Sequence, residues 1–247
     1  VQAIGALLDM PRQARYAMVS TFAADLGNTA IFPALCNGGT LHVVSTETAM
    51  DGPRLAEYIE THGIDLLKIV PSHLEALLQA TEKPQRLIPA LRLVLGGESC
   101  QWSLVDRIRV LAPNCVVMNH YGPTETTVGV ATTRLSEINA RLSDTPPIGK
   151  PLANTTLYVL DEQLSPQPIS VAGELYVGGQ QVSRGYLNTE DQTRLRFIAN
   201  PHGPGRLYRT GDLARVLANG DVHLLGRADR QVKIRGFRIE LGEIEAR

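Results

Sequence analysis

Residues 119–127 concentrate the side chains of this chain that could do chemistry. They read NHYGPTETT and directly follow the apolar run 115–118, which is typical of a buried strand. Gly122 and Pro123 predict a turn immediately after that strand. In open α/β sheets, ligands bind beyond the carboxyl ends of the strands. A loop there with an aromatic ring, hydroxyls and one carboxylate suits a base, a phosphate and a magnesium ion. The alternative interpretation is a polar loop whose threonines cap the next element.

Alternating strands and helices must position this loop. The predicted strands cover residues 16–22, 40–44, 64–70 and 91–95, and the predicted helices cover residues 1–10, 28–35, 52–62, 72–80 and 103–112. Ser72 and Glu75 match a capping box that would open the fourth helix. The alternation predicts an α/β fold with a mostly parallel sheet and helices on both faces.

After Thr133 short strands replace this alternation. They are predicted at residues 156–160, 174–177, 213–217 and 221–225, with Asn219-Gly220 as a hairpin turn, and a further strand pair surrounds Gly236. The pattern predicts a smaller β-barrel-like subdomain. We therefore expect three parts, which are an α/β subdomain at 1–143, the barrel-like subdomain at 144–228, and the start of a small α+β domain at 229–247.

Composition excludes several classes of protein. The 247 residues are 43% hydrophobic and 20% charged, with a net charge of −1, so neither a nucleic-acid nor a membrane-surface partner is indicated. No apolar run reaches the roughly 20 residues of a membrane span, and no secretory signal opens the chain. Cys36, Cys100 and Cys115 are expected to be reduced core thiols of a cytoplasmic protein. Val1 and Arg247 are expected to be the ends of a piece of a longer protein.

Six segments carry a resemblance to a known family. In chain order they are FAADLGNTAIFPAL, LGGES, NHYGPTETT, GELYVGGQQVSRGY, YRTGDL and GRADRQVKIRGFRIELGEIE. With these segments the chain resembles the adenylation domains of nonribosomal peptide synthetases, within the adenylate-forming enzyme superfamily. The resemblance implies that an amino acid and ATP react, with Mg2+, to give an aminoacyl-adenylate and pyrophosphate. It also implies transfer to the phosphopantetheine thiol of a carrier protein domain, beside a condensation domain in the same assembly line.

The resemblance assigns roles in ATP binding. The residues implied are Gly96, Gly97, Glu98, Asn119, His120, Tyr121, Gly122, Thr124, Asp212, Leu224 and Arg227. Among them Tyr121 would stack on adenine, and Asp212 would accept both ribose hydroxyls. Thr124 and Glu125 are the implied catalytic residues, as a phosphate contact and the magnesium ligand. Asp229 is the implied hinge between the large and small domains. For Asp212 and Asp229 the alternative is turn capping beside glycine.

The resemblance also implies a substrate pocket. Asp25 matches the residue that holds the α-ammonium group, and the positions lining the side-chain pocket are Leu26, Thr29, Lys68, Val94, Gly96, His120, Val128 and Gly129. Because Lys68 and His120 are basic, the pocket favours an anion, and we predict L-aspartate, with L-asparagine second. The alternative is that Lys68 pairs structurally with Asp25 or Asp65 and carries no information about the substrate.

Two lysines of the family are expected outside residues 1–247, one in a phosphate loop and one in the small domain. The chain alone is therefore expected to be inactive and poorly soluble. An acyl- or aryl-CoA ligase is a competing interpretation, but Asp25 would have no use there. A non-catalytic remnant or interaction module is another, against which Glu125, Asp212 and Arg227 speak. The glycines of YVGGQQVSRGY lack dinucleotide-binding spacing and are interpreted as turns of the barrel.

Overall fold

A computed structural model describes residues 1–138, 141–229, 231–234, 237–239 and 244–245. These residues form two compact units. The first unit comprises Val1–His120, Arg134–Pro146 and Lys233–Phe237, and the second comprises Tyr121–Thr133, Pro147–Val232 and Arg238–Arg247. The predicted division into three parts stays a prediction. Within the described ranges, no helix is both long and apolar enough to cross a membrane.

The first unit is built on parallel strands with flanking helices, which confirms the predicted α/β fold class. Its strands are β1 (Arg15–Met18), β2 (Thr40–Val43), β3 (Leu66–Ile69), β4 (Arg92–Gly96) and β5 (Val116–Tyr121, whose last residue falls in the second unit). They lie in the order β2-β1-β3-β4-β5 and all pair in parallel. The helices are α1 (Gln2–Leu8), α2 (Asn28–Cys36), α3 (Thr46–Ala49), α4 (Gly52–His62), α5 (Pro71–Gln79) and α6 (Trp102–Leu111).

Both faces of this sheet are buried because alternate strand residues point to opposite sides. Leu67 and Leu95 belong to a core that includes residues of α4, α5 and α6. Leu66, Val94 and Met118 point the other way, into a core with residues of α1 and α2. Continuous burial on both faces explains why these strands read as apolar runs in the sequence.

The predicted capping box at Ser72 is wrong. Helix α5 begins one residue earlier, at Pro71, and no side chain caps it from the N-cap position, Val70. The Ser72 N–H instead donates to Glu98 Oε1 at 2.6 Å. A residue distant in sequence therefore supplies the acceptor that the first turn of this helix requires.

Two smaller expectations also need correction. Strand β1 ends at Met18, well before Phe22, because the chain turns where Thr21 Oγ1 accepts the Ala23 N–H at 3.2 Å. Cys36 is exposed and is not a core thiol. Cys100 and Cys115 are buried as expected, and burial raises the pKa of each thiol to about 12.

The second unit is mostly antiparallel. Its strands are β6 (Ala131–Arg134), β7 (Lys150–Pro151), β8 (Thr155–Leu160), β9 (Gly173–Gly179), β10 (Phe197–Ala199), β11 (Arg206–Val216) and β12 (Val222–Arg227), and helix α7 (Glu190–Arg196) lies between β9 and β10 in the chain. Strands β10, β11, β9 and β8 lie side by side, and β12 also pairs with β11. This sheet is open, and no closed barrel is found among the described residues. Its core contains Val159, Leu175, Val177 and Ala214.

The predicted turn at Asn219-Gly220 joins β11 and β12. Asn219 Oδ1 accepts the Asp221 N–H at 3.1 Å, and Gly220 has φ of 83°. Strands β13 (Val232–Ile234) and β14 (Phe237–Ile239) lie where the strand pair was predicted. The predicted turn residue between them, Gly236, lies outside the described residues.

Helix α4 offers a test of local stability. Asp51 is its N-cap, and Asp51 Oδ1 accepts the Arg54 N–H at 2.9 Å. Replacing Asp51 with alanine removes that acceptor, so we expect a loss of about 1 kcal/mol in the free energy of unfolding. Asp51→Asn keeps an acceptor and should stay close to wild type. Urea denaturation measures both, and equal stability of the alanine variant and wild type would contradict the capping role.

Candidate active site

The first unit holds a buried basic pair on one face of its sheet. Lys68 lies in β3, in register with Met18 of β1 and Val94 of β4, and its side chain points to the α2 side with Leu66 and Val94. His120 lies in β5, in register with Gly96 of β4, and points to the same side. The parallel register therefore brings Lys68 and His120 together across three strands.

Lys68 and His120 are 3% and 4% exposed, and Lys68 Nζ is hydrogen-bonded to His120 Nδ1. Burial lowers the pKa of Lys68 to about 7, although the charge of Asp25 acts in the opposite direction. Burial and the neighbouring Lys68 hold the pKa of His120 well below its usual range, so the ring is neutral. Because Nδ1 accepts from Lys68, we infer that the ring proton is on Nε2.

Gly96 makes room for this pair. A Cβ atom at Gly96 would collide with the backbone oxygen of His120 and would lie 3.1 Å from Lys68 Nζ. Any larger residue there would move β5 or displace the lysine. Gly97, the next residue, has φ of 94°, a conformation that favours glycine. The two glycines thus end β4 without a side chain above the basic pair.

Asp25 opens a 3-10 turn, Asp25–Gly27, that leads into α2. Its Oδ2 atom is buried and has no hydrogen-bond partner among the described residues. His120 Nε2 is also buried and has no hydrogen-bond partner in the described part of the chain. Asp65, proposed as another structural partner of Lys68, instead accepts the Arg15 N–H at 2.8 Å. A buried acceptor and a buried donor of the first unit are thus available to a ligand.

The other predicted pocket residues of the first unit have simple surroundings. Thr29 is buried in α2, and Val94 is fully buried in β4. Leu26 lies in the 3-10 turn and faces Gly97. A Cβ atom placed on Gly97 would lie 3.4 Å from Leu26 Cδ1. Asn119 is 7% exposed and points to the face of the sheet opposite to His120.

The second unit contains a buried chain of hydrogen bonds that joins three predicted site residues. The Tyr121 hydroxyl donates to Asp212 Oδ2, and Arg227 Nη1 donates to Asp212 Oδ1 at 2.7 Å. Tyr121 and Asp212 are 8% and 7% exposed. Burial and the nearby carboxylate of Asp212 raise the pKa of Tyr121, so it remains a donor. Thr210, which sequence reasoning missed, donates to Leu175 O at 2.7 Å and accepts the Asp212 N–H at 3.0 Å.

Arg227 extends this network to Asp229, the predicted hinge. Arg227 Nε and Nη2 donate to Asp229 Oδ1 and Oδ2 at 2.7 and 2.8 Å, a bidentate pair. Arg196 Nη2 adds a bond of 3.3 Å to Oδ2. Burial opposes the ionised form of Asp229, but the bonds and charge of Arg227 outweigh it and lower the pKa to about 2.

Glu125, the predicted magnesium ligand, is buried in a 3-10 turn, Thr124–Thr126, while Thr124 is exposed. Its Oε1 atom accepts from the Tyr186 hydroxyl at 2.6 Å. No group of three or more His, Cys, Asp or Glu side chains in the described ranges could hold a metal ion. A single carboxylate still fits Mg2+, which usually takes its other ligands from phosphates and water.

The backbone after Glu125 is unusual. Thr127 and Val128 have φ of 64° and 70°, a region that a β-branched residue rarely adopts. A Cβ at Gly122 would collide with Val128 O and would lie 2.7 Å from Gly129 Cα, so the chain closes tightly here. Leu224, predicted near ATP, packs against the core of the second unit from β12.

Comparison with known proteins decides the family. The model of the AMP-binding enzyme family matches residues 2–187. The chain belongs to the AMP-binding enzyme family. A dimodular nonribosomal peptide synthase of Bacillus subtilis (strain 168) is 43% identical to this AMP-binding enzyme over 234 residues, which are 94% of the chain and 10% of the synthase. The predicted resemblance to nonribosomal peptide synthetase adenylation domains is confirmed.

Solved structures agree with this family. A nonribosomal peptide synthetase protein containing adenylation and PCP domains matches with a TM-score of 0.86 at 29% identity, covering 99% of this chain and 43% of that one. The Vibrio cholerae adenylation domain AlmE, solved with glycyl-adenosine-5'-phosphate, matches with a TM-score of 0.84 at 31% identity, covering 99% and 46%. The AMP-binding enzyme chain thus spans less than half of each of these two solved chains.

The buried lysine should lower the stability of the protein. The unfolded chain binds the Lys68 proton more tightly than the folded chain, so the residue destabilises the fold most below pH 7, and this cost falls as the pH rises above about 7. Lys68→Met should therefore increase the free energy of unfolding at pH 7 by roughly 1 to 4 kcal/mol, since removal of the charge is partly offset by leaving the buried His120 Nδ1 without its donor.

Urea denaturation between pH 7 and 9.5 measures this difference. We expect the gain from Lys68→Met to shrink with rising pH, whereas Lys83→Met, at an exposed position, should have little effect at any pH. A Lys68→Met variant that is less stable than wild type, or a gain that does not change with pH, would contradict the lowered pKa.

Proposed function

We propose that this chain is the part of an adenylation domain that binds an amino acid and ATP to form an aminoacyl-adenylate, with L-aspartate as the preferred substrate and L-asparagine second. The observation that carries the substrate proposal is the buried set of polar atoms in the first unit. It consists of the Lys68 ammonium group, the partnerless His120 Nε2 and the partnerless Asp25 Oδ2.

These three groups are complementary to an acidic amino acid in charge and in hydrogen bonding. Asp25 supplies a negative charge for the α-ammonium group. Lys68 and His120 supply two N–H donors for side-chain oxygens, as a carboxylate or a carboxamide provides. Because the pKa of Lys68 is lowered to about 7, an anionic side chain would draw a proton onto the lysine when it binds. A neutral side chain gains less from this pair, which places asparagine after aspartate.

ATP would bind through several of the groups that the resemblance implies. In the second unit Tyr121 offers a ring whose hydroxyl is already anchored, and Asp212 offers oxygens for the ribose hydroxyls. A carboxylate has about four acceptor positions, so Asp212 can bind hydroxyls in addition to Tyr121 and Arg227. The other proposed contacts are Gly96, Gly97, Glu98, Asn119, His120, Gly122, Leu224 and the exposed hydroxyl of Thr124.

Glu125 would hold magnesium. When bound, the ion would neutralise negative charge on the ATP phosphates. The Glu125 carboxylate provides the hard oxygen ligand, and Thr124 lies beside it in the chain with its side chain exposed.

The proposed partners are the amino acid, a carrier protein domain with its phosphopantetheine arm, and a condensation domain. Support comes from the solved relative that contains both adenylation and PCP domains and from the dimodular synthase. Asp229, held by Arg227 and Arg196, would be the hinge for the change from adenylation to thiolation.

ATP–pyrophosphate exchange on the full-length protein tests this proposal. We expect the highest exchange with L-aspartate, less with L-asparagine, and little with L-leucine. Lys68→Ala removes the buried donor, so aspartate should lose at least about ten-fold in kcat/KM relative to asparagine. Lys83→Ala, at an exposed position of the same unit, serves as the matched control. A Lys68→Ala variant that still prefers aspartate as strongly as wild type would refute the substrate proposal.

A further inference from the structure

The segment of residues 181–186, interpreted from the sequence only as turns, forms several hydrogen bonds with the loop that carries Glu125. The Ser183 N–H donates to Glu125 O at 2.9 Å, and the Thr127 hydroxyl donates to Gln181 O at 2.9 Å. The third contact is the 2.6 Å bond from the Tyr186 hydroxyl to Glu125 Oε1. Both the main chain and the carboxylate of Glu125 are therefore fixed by the same short segment of the second unit.

Tyr186 is itself held from two sides. Its N–H donates to Thr193 Oγ1 of α7 at 2.9 Å. Its ring meets the ring of Phe197 edge to face, with centroids 5.4 Å apart. Gly185 has φ of 137°, and a Cβ there would collide with the side chain of Thr193. The tyrosine thus has a defined backbone and a defined ring position, so its hydroxyl can direct a neighbouring group.

We propose that Tyr186 is a positioning residue that orients the Glu125 carboxylate toward magnesium-bound ATP. This inference rests on the proposed function, because it requires ATP and Mg2+ at Glu125. A carboxylate has about four acceptor positions, so it can accept from Tyr186 and still bind a cation. Groups that hydrogen-bond a metal ligand fix its orientation, and their loss typically lowers metal affinity or activity by 10- to 100-fold.

The test is ATP binding by calorimetry, on the full-length protein, with Mg2+ and with excess EDTA. Tyr186→Phe keeps the ring against Phe197 and removes only the hydroxyl. We expect its affinity for ATP without metal to equal that of wild type, and the gain in affinity on adding Mg2+ to fall by about ten-fold. Pyrophosphate exchange should require a correspondingly higher Mg2+ concentration for half-maximal rate.

Tyr176→Phe is the matched control. It also removes a tyrosine hydroxyl that contacts a carboxylate, Glu174 Oε2 at 3.4 Å, but that pair lies away from Glu125 on β9. It should keep the full magnesium-dependent gain. A Tyr186→Phe variant that keeps the same gain as Tyr176→Phe overturns the inference.

Thr193 provides a second test if Tyr186→Phe does not fold. Thr193→Val removes the hydroxyl that accepts the Tyr186 N–H and should reduce the magnesium-dependent gain, whereas Thr193→Ser should restore it. Equal gains in both variants would overturn the inference. Failure of the proposed function has a different signature, because the wild-type protein would then bind no ATP in either condition and catalyse no exchange.

Discussion

A buried lysine in an interior strand, β3, is the constraint on which the first unit's candidate site depends. β3 lies between β1 and β4, so Lys68 is removed from water and its pKa falls to about 7. The fold accommodates it with a neutral histidine, His120, and with the absence of a side chain at Gly96. In a purely structural cluster, every buried polar atom of these side chains would have a hydrogen-bond partner. Here a histidine donor and an aspartate oxygen remain without partners among the described residues, which is the condition expected of a site shaped for a ligand.

In the second unit the functional groups are acidic, and Arg227 is the cation that pairs with two of them. Asp212 and Asp229 share Arg227, and Asp212 also holds the Tyr121 hydroxyl. Removing Arg227 would leave two carboxylates without their shared cation, so their contributions to stability and function cannot be separated by single substitutions. Glu125 Oε1 accepts a hydrogen bond from the Tyr186 hydroxyl at 2.6 Å.

Much of the fold could be predicted because local signals agreed with the final structure. Helix α4 has a capping aspartate, an early proline and a closing glycine, and its predicted range, residues 52–62, is confirmed. Helix α7 was missed because it buries none of its residues and so carries no apolar periodicity. The capping box at Ser72 failed because the acceptor came from Glu98, 26 residues away. The turn at Asn219-Gly220 could be predicted because its hydrogen bond joins residues two positions apart. The bond from Ser72 to Glu98 has no such local signal.

The same limit applies to the candidate site. Lys68 and His120 could be named from the family resemblance, but their contact depends on the register of β3, β4 and β5, which no local pattern specifies. The sequence indicates only a turn at Tyr186. Its hydrogen bond to Glu125 joins residues 61 positions apart, and no local pattern predicts such a contact. The sequence signal for this residue is its place in GELYVGGQQVSRGY, one of the six segments that carry the family resemblance.

A crystal structure of the full-length protein with a non-hydrolysable aspartyl-adenylate analogue tests the central claim most directly. The account predicts that Asp25 contacts the α-ammonium group, and that Lys68 and His120 Nε2 both lie within about 3 Å of the side-chain carboxylate. A carboxylate that contacts neither basic residue, with Lys68 paired to Asp25 instead, would show that the buried lysine is structural and would contradict the account.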